Sequence, residues 1–466
     1  MRHESARILA ALVLCSAVAT PGTLSAQSDR PAELSSSVGD GFTIAVVGDV
    51  IIAHSLEHMM SNPAFAEVAS LLQSVDVATG NLETQIIDGR TFVGSRGGGR
   101  HGAEPESAEW LKQMGFDIVA RPNNHANDYG YEGLLETGRH LERAGLQHSG
   151  IGDTYWAARA ARFYTTPRGR VGMVATSENS QAAAPGNGEW AGRGGLSPFN
   201  VTTYLMVPAD SWEAVRTVRN LFPNGTGFYA RGANTADRIS AVGQQFRKAP
   251  AGVTQPYYSY DINQRDLRDV LAAVREGKMR SDFITVALHS HDFADTRGGY
   301  RGPGIPEQEH LDTNPSIADY LPVFAKAAID NGADLFQGTG VHALRGIEIY
   351  KDRPIFYGLG EFFRQMDIIG LSGMRQEFSR SVGPVGAPFP VKYESIIAVS
   401  QFAGGKLSEV RLHPIELTYN VRMAQRGLPR MASPEAAQRI LTRLQELSEP
   451  LGTTIVIEGG VGFIRP

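Results

Sequence analysis

The sequence predicts an α/β protein, and three observations carry that reading. Short apolar runs suited to buried strands alternate with segments whose apolar residues recur at helical spacing. The expected strand ends are followed by residues that bind metals: Asp49 in VVGDV, Glu83 in GNLET, Asn123, Asn124 and His125 in RPNNHANDYG, His289 in ALHSHDF and His342 in GTGVHALRG. Gln181 to about Met279 breaks the alternation with a stretch rich in Gly, Pro, Asn and aromatic residues. Strand ends are where layered α/β proteins gather their working groups. Carboxylate and imidazole both suit zinc, manganese or iron, so the pattern points to a metal-dependent hydrolase.

Taken in order, the chain begins with Arg2 and Arg7 before an apolar run from Ile8 to Ala19, then small residues and Pro21. This is the order of a secretory signal and is too short for a membrane span. Residues 1–26 are therefore expected to be removed and the protein to be periplasmic or secreted. The single cysteine, Cys15, lies in this segment, so the mature chain is expected to hold neither a disulfide nor a thiolate metal cage. Residues 27–40 are polar and Ser-rich, a flexible leader. The main domain is expected over 41–420, with 421–466 packed on it as a C-terminal extension. The formal charge of −5 is well mixed, which gives no basic face for nucleic acid.

Within the domain, Phe42 to Val47 reads as a buried strand ending at Gly48 and Asp49. Pro63 opens a helix with Phe65, Val68, Leu71, Leu72 and Val75 inward. Pro105 opens another, with Trp110, Leu111 and Met114 inward and Gly115 as its stop. Phe116 to Ala120 is a strand running into Asn123, and a helix with Leu134, Leu135 and Leu141 follows. A strand near Val171 to Thr176 closes this half. Residues 181–279 are expected to form an inserted lobe over the metal edge, an adaptable surface rather than a packed sheet, because long apolar runs are missing. The α/β pattern resumes with a strand at Phe283 to Leu288, a helix near Ile317 to Asp330, and strands at Ala333 to Phe336, Gly346 to Tyr350 and Ile355 to Tyr357. Ile396 to Phe402 and Leu407 to Leu412 read as an antiparallel hairpin.

The motifs differ in weight. Asp49 after a glycine, and Glu83 after Asn81 and Leu82, could equally be a turn former and a cap. The run Asn123, Asn124, His125 with Asp128 and Gly130 is more informative: amide oxygen and imidazole both ligate divalent ions, and a nonligating histidine beside a metal can serve as general acid. His289 and His291 lie two apart; His289 is favoured as the ligand and His291 as a substrate contact, with the reverse left open.

GDV, GNLET, NNHANDYGYEGL, LHSH and GADLFQGTGVHALRGIEIYKDRPIFYGLGEF resemble, in that order, the bacterial capsule synthesis CapA family, the poly-γ-glutamate synthesis proteins. That family is related to the calcineurin-like metallophosphoesterases. The resemblance spans residues 42 to 366 and implies a metallophosphatase-like two-sheet sandwich flanked by helices, with a dinuclear metal site at one edge that the departures noted below leave open to one or two divalent ions. Carried over by motif, Asp49, Glu83, Asn124, His289 and His342 look like metal ligands. Asn124 and His125 resemble the Asn and His of the phosphoesterase signature; His125 and Asp128 are the candidate catalytic residues, and Asn123, His291, Arg193, Arg345 and Glu361 the candidate substrate contacts. Two departures matter. Thr339 and Gly340 stand where the family usually has a further histidine, and Glu361 stands in YGLGEF where it usually has asparagine. The resemblance implies either a hydrolase of a phosphoester or amide, such as a γ-glutamyl bond, or a noncatalytic accessory protein that binds or exports an anionic polymer such as poly-γ-glutamate. For the polymer, Arg96, Arg100, Arg121, Arg193, Arg297 and Arg301 are the candidate cations.

Overall fold

Six strands carry the site in the computed structural model: β1 (Phe42–Ile51), β2 (Val77–Leu82), β3 (Ile118–Ala120), β4 (Phe283–Ser290), β5 (Leu335–Gly340) and β6 (Glu361–Arg364). The period of two of a strand explains the layers. On one side of β1, Phe42, Ile44 and Val46 pack with Phe283 and Ala287 of β4. On the other, Ala45 and Val47 pack with Phe65, Val68, Trp110 and Leu111 from helices Pro63–Gln73 and Glu106–Met114. The alternate residues of β4, Ile284, Val286 and Leu288, meet Val270, Val274 and Phe324 from helices Gln264–Lys278 and Tyr320–Asp330. The result is the expected sandwich of two sheets between helices.

The first sheet runs in the order Val456–Glu458, Val461–Ile464, Lys406–Leu417, Glu394–Ala403, β1, β2, β3, Gln147–Ser149, with β6 beside β1. The second runs Ile347–Tyr350, Arg353–Phe356, β5, β4, Gly169–Ser177, Arg162–Thr166. β1, β2, β3 and β6 are mutually parallel, and β4 is parallel to both its neighbours. Their C-terminal ends therefore gather at one edge of each sheet. The structure describes residues 30–91, 94, 100–178, 182–221, 235–296, 314–366 and 390–466. The expected signal segment, and Arg96, Arg297 and Arg301, lie outside these residues. Among the described residues no helix is long and apolar enough to cross a membrane.

Three differences from the sequence reading have physical causes. β1 does not stop at Val47 but continues to Ile51, with its register to β2 shifting between Val46 and Asp49. Gly48 permits this: a Cβ there would lie 1.9 Å from the Gly360 carbonyl oxygen, and Asp49 N–H donates to that same oxygen at 3.0 Å. Within 181–279 the chain does build a sheet, in the order Arg238–Ala241, Gln244–Lys248, Val201–Val207, Tyr257–Ile262. Half-buried strands such as QQFRK need few apolar residues, which is why the pattern hid them. The same stretch also supplies the body's own helix Gln264–Lys278. The new sheet is tied to the segment after β4, since Tyr258 N–H donates to Ala294 O at 2.8 Å and Tyr260 OH to Phe293 O at 2.8 Å. At the C-terminus, Ile440, Leu441 and Leu444 of helix Pro434–Ser448 enter the core between the sheets.

Candidate metal centre

The register of the first sheet puts Asp49 directly opposite Asn81 of β2 on one side and Glu361 of β6 on the other. In the second sheet His289 of β4 pairs with Thr339 of β5. These two rows face each other across the strand ends. Asp49 is fully buried; its Oδ1 accepts from Asn81 Nδ2 at 2.8 Å and its Oδ2 from Gly340 N–H at 3.2 Å. Burial alone would raise its pKa, but the nearby imidazoles of His289 and His342 hold it below the usual carboxylate range. His289 is braced on both nitrogens: Nδ1 lies 3.0 Å from Asn81 Nδ2 and 3.2 Å from Thr339 Oγ1, and Nε2 lies 3.0 Å from Asn124 Oδ1. Burial lowers the pKa of this ring against the opposing pull of Asp49.

Glu83 is buried completely, and neither of its carboxylate oxygens has a hydrogen-bond partner. His289 Nε2 and His125 Nε2 each stand 4.0 Å from Glu83 Oε1. Burial, and then the charges of Asp49 and Glu361, push the Glu83 carboxyl well above its ordinary range. His342 Nδ1 is 3.0 Å from Glu361 Oε1 and 3.5 Å from Asp49 Oδ2, at angles that make no hydrogen bond. Burial disfavours a charge on this ring, yet Glu361, Asp49 and Glu83 outweigh it and raise His342 to about 10. Glu361 is itself held by Arg364, whose Nη1 donates to both carboxylate oxygens at 2.5 and 2.7 Å.

A third group lies on the β3 side. His125 Nδ1 is 2.8 Å from Asp128 Oδ2, and the same oxygen accepts the His101 backbone N–H at 2.8 Å. The rings of His101 and His125 stack 3.5 Å apart and 11° from parallel, and His101 Nδ1 bonds the Glu83 carbonyl at 2.9 Å. His291 stands near two other imidazoles, its ring 5.1 Å from His289 and 5.5 Å from His342.

Asp49, Glu83, Asn124, His125, Asp128, His289, His291 and His342 thus meet at one edge. The other four expected substrate contacts are engaged within the protein. Asn123 is buried, and its amide donates to Leu82 O and Arg121 O while its Oδ1 accepts His125 N–H; it braces the loop that carries His125. Arg345 is also buried, with Nη2 on Asp292 O at 2.6 Å, so its charge is spent on backbone. Glu361 points into the carboxylate–histidine pocket and is paired with Arg364. Arg193 is exposed and donates to Ala182 O at 2.7 Å. Arg121, a candidate polymer cation, is buried as well. The residues missed from sequence are His101 and Asn81, and Thr339 was noted only as a departure, not as a partner of His289. Asn81 was visible in GNLET as a neighbour of Glu83, but nothing around His101 marked it.

Ligand atoms of Asp49, Glu83 and His289 lie within 4.8 Å of one another, as do those of Glu83, His291 and His342 and those of Glu83, His101 and His125. A fully buried carboxylate with both oxygens unsatisfied is costly unless a cation meets it, and this donor set of oxygen and imidazole nitrogen is what borderline divalent ions accept. The residues present fit a metal.

Comparison with known proteins agrees with this edge. The chain matches the family described as "Bacterial capsule synthesis protein PGA_cap" over residues 43–297 and 310–366. It is 38% identical over 481 residues to the uncharacterized protein y4sH of Sinorhizobium fredii, covering 95% of this chain and 98% of that one. A probable polyglutamine synthesis accessory protein of Mycobacterium tuberculosis is 27% identical over 66% of this chain and 60% of its own length. The capsule biosynthesis protein CapA of Bacillus anthracis is 20% identical over 69% of this chain and 59% of its own. A solved structure of a hypothetical protein from Thermus thermophilus overlaps 83% of this chain and 96% of that chain, with a TM-score of 0.34 and 12% identity. The matched residues include every strand end described above, and the chain belongs to the bacterial capsule synthesis PGA_cap family.

Proposed function

We propose that this protein is an exported, metal-dependent hydrolase acting on a phosphoester or an amide bond, with a γ-glutamyl amide as the polymer case. The observation that carries the reading is Glu83: a buried carboxylate with no hydrogen bond on either oxygen, ringed by histidines. Asp49, Glu83 and His289 would hold the ion. A bound divalent ion, zinc, manganese or iron, would supply Lewis acidity and a more acidic water. The protein's own part is orientation. Asn81 and Gly340 N–H fix the Asp49 carboxylate, Thr339 and Asn124 fix the His289 ring, and Arg364 fixes Glu361 beside His342. Asp128 takes Nδ1 of His125 and leaves Nε2 directed toward Glu83. His291, partly exposed beside these rings, is the proposed substrate contact. The lobe sheet, anchored just after His291, is the proposed selector of substrate.

A second reading takes its cue from the mycobacterial relative, a probable synthesis accessory protein, and the Bacillus relative, a capsule biosynthesis protein: a noncatalytic accessory that binds an anionic polymer such as poly-γ-glutamate. One experiment separates the two. Protein loaded with manganese or zinc is assayed on a panel of phosphoesters and γ-glutamyl amides. Turnover that chelation and Glu83→Gln both abolish is the expected result. A loaded protein that turns over nothing while binding poly-γ-glutamate tightly would establish the accessory role instead. Export is checked by mass spectrometry of protein from the producing cell, with a mature start expected between Thr20 and Ser28.

A further inference from the structure

We infer that the chain binds a small monatomic anion, of the halide class, in a buried corner formed by Arg121, His148 and Gly138. The site uses none of the residues of the carboxylate–histidine edge, and it stands whichever reading of that edge is right.

Arg121 follows β3 directly, and its side chain is fully buried instead of reaching out to a polymer. Its Nη2 donates to Leu134 O at 2.8 Å, while its Nη1 is buried with no hydrogen-bond partner. Among the described residues it makes no ion pair. Burial pulls the guanidinium down to about 9, yet at neutral pH it still carries its charge, and a buried charge is ordinarily met by a countercharge. His148 lies in the strand Gln147–Ser149, which pairs with β3. This ring is also buried, and neither of its nitrogens has a hydrogen-bond partner. Glu142 Oε1 approaches Nε2 at 3.5 Å, but that side chain is 60% exposed and reaches in from solvent. Burial, and then the Arg121 charge, depress the imidazole to about 3, so the ring is neutral with one N–H to give.

Gly138 leaves the corner open. It sits inside helix Gly130–Arg143, where glycine is a poor choice by propensity. A Cβ there would lie 3.1 Å from His148 Nε2 and 3.3 Å from Arg121 Nη1, so the two unsatisfied groups border one shared space with no side chain between them. A water would take the hydrogen bonds and leave the charge unmet. A phosphate or carboxylate would bring further oxygens that these two donors cannot satisfy. A single-atom anion meets both groups and needs nothing else. It would also fasten the loop that carries Asn124, His125 and Asp128, because Arg121 N–H donates to Ser149 O at 3.2 Å and Arg121 O accepts from Asn123 Nδ2 at 3.1 Å.

The test uses the full mature chain, stripped of metal and unfolded by urea in sodium bromide or in sodium gluconate at equal ionic strength. Once bromide passes half-saturation, each tenfold rise should raise the folding equilibrium constant about tenfold, and gluconate should give no such rise. Gly138→Ala places a methyl group in the corner and should fold but lose the bromide response. Should that variant fail to fold, His148→Phe, a ring without an N–H, is measured in its place with the same loss expected. Crystals grown in bromide should show one anomalous scattering peak in contact with Arg121 Nη1 and the His148 ring. Equal wild-type stability in the two salts, a folded variant that keeps the full response, or a corner that holds only water in the bromide crystals overturns the site.

Discussion

Strands β4 and β5 carry a buried ionic cluster at each end, and the two ends are built on opposite principles. At their N-terminal ends Asp334 is surrounded: Oδ1 accepts from Arg30 at 2.7 Å and Arg353 at 3.2 Å, and Oδ2 from Lys278 at 2.8 Å and Ile284 N–H at 2.9 Å. Burial opposes its ionisation, but the three cations win and hold the carboxyl below its ordinary range. At the C-terminal ends, across from His289 and Thr339, Glu83 has no hydrogen-bonded cation from the chain and its carboxyl is pushed up. Two buried carboxylates of one protein thus differ in whether the sequence supplies the countercharge. The satisfied one ties the fold together; the unsatisfied one is, on the proposed reading, left for a divalent ion to complete.

The contrast can be broken most sharply at Asp334. Asp334→Asn leaves Lys278, a fully buried ammonium, without its charge partner, and should cost about 3–5 kcal/mol in urea unfolding. A loss under about 1 kcal/mol, typical of exposed pairs, would mean that the cluster is not structural. At Glu83 the same kind of change should help. Manganese at about one hundred times its dissociation constant should stabilise wild type by about 2.7 kcal/mol, and Glu83→Gln should abolish that gain in a thermal shift titration. Without metal, Glu83→Gln should be more stable than wild type at and above neutral pH, because the amide cannot ionise in a site whose burial and neighbouring carboxylates disfavour the charge.

The pH dependences should have opposite signs. Asp334, lowered when folded, contributes stability that is present above its unfolded value and lost as pH falls through the folded one. Glu83, raised when folded, contributes stability that is present below its unfolded value and lost as pH rises toward the folded one. Unfolding of metal-free wild type and Glu83→Gln across about pH 4 to 8 should diverge upward in pH, and parallel curves would remove the assignment. The smallest effect is expected at Glu361, the intermediate case with one cation. Glu361→Asn removes the leading charge beside His342, so the imidazole should titrate below its present value of about 10 in a histidine-resolved NMR experiment. An unchanged titration would show that Asp49 and Glu83 dominate instead.

Legibility followed burial and periodicity. The helix opened by Pro63 and the strand Phe283–Ser290 were readable because their apolar residues recur at one period on one buried face. Asp49, His125, His289 and His342 were readable because each lies at or just after the end of such a strand. The lobe sheet was not, since Gln244–Lys248 is only half-buried and reads as polar. Asn123 and Arg345 were read as substrate contacts, but sequence does not reveal that their amide and guanidinium are spent inward on carbonyls. His101 precedes a two-residue strand, Gly102–Ala103, and follows a sequence run rich in glycine and arginine. No local pattern announces it; only the fold brings it against His125.

The close approach of Gly48 to the Gly360 carbonyl has a consequence for how this protein can diverge. β1 and β6 touch through bare backbone at the mouth of the site, and a single methyl group at position 48 would overlap that oxygen. The separation between Asp49 and Glu361 is therefore set by main chain and not by any exchangeable side chain. Innovation here must proceed by replacing residues at fixed stations, as at Thr339 and Glu361, while the gap itself is inherited unchanged. A library randomised at Asn81, Thr339 and Glu361 would sample new ion and bond preferences on an intact fold, and one randomised at Gly48 and Gly360 would return mostly chains that never assemble the edge.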